Sequence, residues 1–141
     1  MSSFIYNSAK LRILQGVFDF TSDEFKVALV ASAYSPDKDA HEFFVDLTNE
    51  VTGTNYTTGG KVLQSILLSQ DDENDRAILD ADNLVWAVAT FTARAAVIYK
   101  NTGSAATSPL LAYIDFDEDL EAAGEDFILQ WHQDGIMSLG E

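Results

Sequence analysis

Two runs, RAAVIYK at 94–100 and LLAYIDF at 110–116, constrain this chain more than any other feature. A strand with one face in water alternates apolar and polar residues. These two do not. Ala95, Val97 and Tyr99 fall on one face of the first run, and Ala96 and Ile98 on the other. In the second, Leu110, Ala112, Ile114 and Phe116 oppose Leu111 and Tyr113. Packing sheet on sheet hides one face of such a strand. The other needs a helix, a long loop or another subunit. Two covers are open at this point, a neighbouring copy of the chain or the 35–60 segment folded back. Under either, Ile98, Leu111 and Tyr113 are the residues expected to meet the cover, and they are the candidate oligomer or partner interface.

The remaining patterns predict a mainly β chain, an antiparallel sandwich or barrel-like domain with a short N-terminal helix. FKVALVASAY at 25–34, KVLQSILLS at 61–69, RAILDA at 76–81 and NLVWAVA at 83–89 read as strands, with TARAAVIYK at 92–100. Many short strands separated by turn signals point to that class and away from βαβ units. FILQWHQDGIMSL at 127–139 reads as a closing hairpin turned at Asp134-Gly135. NSAKLRILQ at 7–15 reads as the helix. Asn7 suits its N-cap and Gly16 its left-handed end, with Leu11 and Leu14, or Ile13, as its buried edge. HEFFVDL at 41–47 reads as one helical turn or an irregular segment anchored by Phe43 and Phe44. At 141 residues the chain fits one domain, 1–141, with a core of its own.

Charge is the compositional outlier. Eight Lys and Arg stand against 23 Asp and Glu, a net charge of −15. Nucleic-acid affinity comes largely from cations neutralising phosphates, and anionic membranes repel acid in the same way. Neither is expected as a partner. No apolar run approaches the ~20 residues that cross a bilayer, and the N-terminus lacks the pattern of a signal peptide. The acid concentrates in DDEND at 71–75, DFDED at 115–119 and the group Glu121, Glu125 and Asp126. These segments read as solvated acidic turns or loops that keep the chain dispersed. A sharper reading has them steer a basic partner.

The search for chemistry gives an enzyme little support. With no cysteine there is no disulfide or thiolate. The two histidines, His41 and His132, are far apart and lack the i, i+4 spacing of a zinc pair. His132 reads as an exposed turn residue. GGK at 59–61 has Asn55 and Val62 where a phosphate loop needs Gly and Ser or Thr. DDEND lacks the central Gly and distant Glu of a calcium loop, and weak cation binding by it or by DFDEDLEAAGED is the minority reading. Trp86, Phe91, Tyr99, Tyr113 and Trp131 alternate with small residues, as interior or interface fillers do. A sugar platform is the minority reading. No cofactor and no metal are expected.

Taken in order, KVALV, YSPDKDAHEFFVDL, EVTGTNYTTGGKVL, LDADNLVWAVATFTARAAVIYKNTG, TSPLLAYIDF and FILQWHQDGIMSL resemble small virion structural proteins of tailed bacteriophages. The likeness runs over nearly the whole chain and rests on the order and spacing of all these segments. DEDLEAAGED is more charged than it leads one to expect. The resemblance implies a non-enzymatic particle component. A capsid decoration (cement) protein comes first, a homo-oligomer bound to the major capsid protein across capsomer boundaries. Its acidity favours the exterior of the capsid over the face that meets packaged DNA. A tail- or head-fibre-associated protein is the alternative, and a carbohydrate-binding module a more distant one.

Overall fold

The computed structural model describes residues 3–140. Strands take 47% of the residues and helix 8%, so the chain is mainly β and antiparallel, with one short helix near its start. The order is β1 (Phe4–Ile5), α1 (Asn7–Leu14), β2 (Phe25–Val30), β3 (Lys61–Val62), β4 (Leu67–Asp71), β5 (Arg76–Asp80), β6 (Leu84–Lys100), β7 (Leu110–Leu129) and β8 (Met137–Gly140). They form a five-stranded sheet, β1-β7-β6-β2-β3, and a three-stranded one, β4-β5-β8.

The large sheet explains the two-faced runs. At its centre Val27, Ile98 and Ala112 pair in register, and beside them Ala28, Val97 and Tyr113. All six are buried. On the first face lie Phe18 and Phe20, their rings 6.0 and 5.1 Å from Phe25. Lys100 ties this segment down by donating to the Val17 carbonyl and pairing with Asp23. On the second face the cover is the 35–60 segment of the same chain. The Phe44 ring sits 4.6 Å from that of Tyr99, and Leu110 N–H donates to the Glu42 carbonyl. Tyr99 donates its hydroxyl to the Gly59 carbonyl. Arg12 clamps this segment to α1, bonding Glu42 at 3.0 Å and lying over the Phe43 ring. The expected anchor at Phe43 and Phe44 is present as a 3-10 turn over Phe44–Asp46.

Several local expectations are corrected. Tyr6, not Asn7, is the N-cap of α1, and it makes no side-chain cap bond. The Asn7 amide donates to Asp39 instead. Leu11 and Leu14 are 57% and 87% exposed. The buried residue of α1 is Ala9, with Ile13 partly covered. KVLQSILLS is not one strand. A left-handed Ser65, at φ +56°, divides it, and β3 and β4 join different sheets. The Asp134-Gly135 turn forms, but β8 then pairs with β5 and not with the strand just before it.

The largest correction is DEDLEAAGED. It is strand, not loop. β6 and β7 run on as a two-stranded ribbon from Ala93 and Leu120 to Leu84 and Leu129. Trp86, Ala89, Phe91, Ala93, Ala122 and Phe127 point inward and are buried. Thr92 and Glu121 pair on the other side, and both are exposed.

Candidate docking surfaces

Every candidate interface residue is interior to the single chain. Ile98 is 0% exposed, between Val27 and Ala112 in register. Leu111 is 1% exposed, and its carbonyl accepts from Tyr6 N–H. Tyr113 is 3% exposed, with the Phe4 ring stacked on it at 5.3 Å and Tyr34 at 6.1 Å. The register places Ile98 and Tyr113 on opposite faces, and the chain covers both, with the segment carrying Phe18 and Phe20 on the Ile98 face and residues 34–60 on the Tyr113 face. Surface contacts with any partner therefore fall on other residues.

The aromatic residues are interior as well. Trp86 is edge-on to Phe91 and Phe127, and Tyr56 lies parallel to it at 6.3 Å. Trp131 donates its indole N–H to the Asp82 carbonyl. Both tryptophans are buried, so neither offers a face to a sugar. His132 is exposed in its turn, as expected.

His41 belongs to a hydroxyl chain that the sequence did not reveal. The Tyr6 and Tyr34 hydroxyls lie 3.0 Å apart, and Tyr34 reaches His41 Nδ1 at 2.8 Å. Asp37 N–H also points at that nitrogen, at 3.1 Å. Nδ1 is thus the acceptor, Tyr34 donates to it and Tyr6 donates to Tyr34. Burial pushes the Tyr34 hydroxyl up to about 12 and raises Tyr6 further. Both stay protonated at neutral pH and serve as donors, not bases. The chain pins residues 34–41 over Tyr113.

Among the described residues two surfaces stand out. The first is the ribbon of β6 and β7. Four residues of β7, Phe116 to Asp119, stand opposite Arg94 alone, where the pairing slips between Ala93 and Ala95. This bulge is stapled by Asp115, whose Oδ1 accepts from Arg94 Nε at 3.0 Å and from Asp117 N–H at 2.8 Å. A bulge bends and twists the strand that carries it, so Asp115 fixes how the ribbon leaves the sheet. In it Glu118 and Asp119 are exposed, and beyond it Glu121, Glu125 and Asp126, with Val88 and Ile128 as apolar residues among them.

Burial alone would raise the Asp115 carboxyl. The Asp117 N–H and Arg94 more than offset this and hold it below the usual carboxylate range. Its folded pKa thus lies below the unfolded value of about 3.9. The stabilisation it gives is complete above that value and is lost as pH falls through the folded one. Asp115→Asn is expected to cost about 1–3 kcal/mol at neutral pH. It also flattens the loss of stability below pH ~4. Urea unfolding of both proteins across that range checks this. Equal slopes with pH would show that Asp115 contributes nothing to the acid sensitivity.

The second surface is an apolar cleft of about 490 Å³ between α1 and the small sheet. Ile13, Leu14 and Phe20 line one wall, and Leu68, Leu79 and Leu139 the other. Leu68, Leu79 and Met137 are cross-strand neighbours, so they present a single apolar face. The signal in the sequence was Leu11, Ile13 and Leu14 on a helix of eight residues. They spread over more of its circumference than one core stripe uses.

The acidic turn expected at 71–75 joins β4 to β5. Asp71 accepts from the Asn74 amide and pairs with Arg76 at 3.0 Å. Among the described residues no group of three or more His, Asp or Glu is arranged to hold a metal, and no helix is long and apolar enough to cross a membrane. Comparison with family models, curated proteins and solved structures finds no match to this chain.

Proposed function

We propose that the chain is a non-enzymatic virion structural protein. It decorates the outside of a bacteriophage capsid as a homo-oligomer and binds the major capsid protein across capsomer boundaries. The observation that carries this reading is the division of its surface. An acidic ribbon on β6 and β7 and an apolar cleft between α1 and β4-β5-β8 share no residue. A cement protein needs two such surfaces, one towards its own copies and one towards the shell. Exposed carboxylates steer a docking protein to basic ground and set its on-rate. Binding only the assembled lattice, through several contacts at once, adds its free energy to the shell by linkage. The resemblance to virion proteins supports the same reading. Trp86, Phe91, Tyr99, Tyr113 and Trp131 are taken up in the interior, so the aromatic residues that suggested a sugar platform do not form one.

The test is co-sedimentation with expanded shells and with unexpanded precursors. Decoration predicts saturable binding to expanded shells, at hundreds of copies per particle. A handful of copies at one vertex would move the protein to the tail or fibre, and binding to neither particle would end the reading. A variant with Glu118→Gln, Asp119→Asn and Glu121→Gln is expected to bind more slowly, and its binding to depend less on salt.

A further inference from the structure

The apolar cleft is unusual for what surrounds it. Of its lining residues Leu14 is 87% exposed, Leu139 65% and Leu68 46%. Among the described residues Lys10 is its only charged lining residue, and no carboxylate lines it. β4 is an outer strand of its sheet, and Leu67 and Leu68 put apolar residues on both of its faces. Neither Lys nor Pro guards that edge, although exposed edges normally carry such protection.

We infer that this surface closes against a second copy of the chain. Two molecules of net charge −15 repel, and they can meet closely only where carboxylates are absent. Among the described residues none lines the cleft. The same face is also complementary to itself, as a two-fold contact requires. Its centre is apolar and Lys10 stands in one wall. The β4–β5 turn at the end of the other wall's sheet exposes Asp72, Glu73 and Asp75. A lysine of one copy therefore has an acidic turn to meet on the other. The cleft lining itself offers a basic partner only the like charge of Lys10, whereas the ribbon exposes Glu118, Asp119, Glu121, Glu125 and Asp126. The inference rests on the oligomeric part of the function proposed above and not on shell binding.

Sedimentation equilibrium of the purified full chain, with no shells present, tests it. The wild type is expected to be dimeric or larger at micromolar concentration. Leu14→Glu and Leu139→Glu change exposed residues and leave the monomer fold intact. Each is expected to weaken association by about 30-fold or more, the scale of a buried hot-spot residue. Val88→Glu, an equally exposed change on the ribbon (60%), should associate as the wild type does. Far-UV circular dichroism confirms that each variant is folded. A monomeric wild type overturns the inference. So does wild-type association of both cleft variants, or loss of association in Val88→Glu alone. Shell binding is a separate measurement, so either result stands without the other.

Discussion

Ile98→Asp is expected to abolish folding. Ile98 is fully buried in β6, flanked in register by Val27 and Ala112. The substitution removes about 2 kcal/mol or more of apolar burial. It also puts a carboxyl where neither sheet neighbour offers a partner. An unpaired polar group in such a place costs several kcal/mol more, even if the acid takes up a proton. The sum, of order 5 kcal/mol or above, is comparable to the whole stability of many domains. Insoluble protein, or a soluble form without a cooperative thermal transition, is the expected result. Ile98→Val removes one methylene and should cost about 1 kcal/mol, leaving fold and association unchanged. A folded, soluble Ile98→Asp monomer would mean instead that this side chain faces a subunit neighbour.

That contrast shows how far the sequence could be read. The runs at 94–100 and 110–116 were correctly legible as buried on both faces, because five or more apolar residues in a row leave no wet side. What covers them was not legible. The cover is made by isolated anchors such as Tyr34, Phe44 and Tyr56, spaced through polar loop sequence without a period. The second half of β7 was hidden for a different reason. Aspartate, glutamate and glycine disfavour strands, and alternation is the only other signal. In β7 the bulge at Phe116–Asp119 breaks that alternation, and Gly124 at φ +77° falls where the pairing slips again between Ala89 and Thr90. Leu120, Ala122, Phe127 and Leu129 therefore appear in the sequence without a common frame. Their partners Ala93, Phe91, Trp86 and Leu84 supply it only once the strands are paired.

The helix was legible in place and not in orientation. Leu11 and Leu14, or Ile13, read as its buried edge because large apolar residues usually are, and of these only Ile13 packs partly against the core. Ala9 takes that position instead, since α1 packs close to β7 behind Tyr6. Leu14 is left facing water beside the small sheet, and this is why the candidate contact surface emerged from the folded chain and not from the strands that first suggested one.

Gly60→Ala should be nearly as damaging as Ile98→Asp, for a reason with no apolar content. Gly60 precedes β3 at φ +80°, in the left-handed region. A Cβ built there would lie 1.8 Å from the Val27 carbonyl oxygen and 2.6 Å from its carbon. Both are backbone atoms of β2, and no rotamer change removes the overlap. β2 is held on its other side by six residue pairs with β6, so it cannot retreat without disturbing the central strands. The loop must move instead. That pulls β3 from the edge of the sheet and takes Gly59 away from Tyr99, whose hydroxyl it accepts. A positive φ alone costs an alanine about 1 kcal/mol. With the overlap and the lost bonds the expected cost is about 3–5 kcal/mol, visible as a lower urea midpoint with an unchanged slope if β3 repairs, or a smaller slope if it stays detached. Gly103→Ala is the matched control. It has φ +90° and nothing within 4 Å of the added carbon, so it carries the torsional cost without the clash. Equal losses for the two variants would assign the effect to backbone torsion and remove the close approach of the 57–60 loop to β2 as a requirement of the fold.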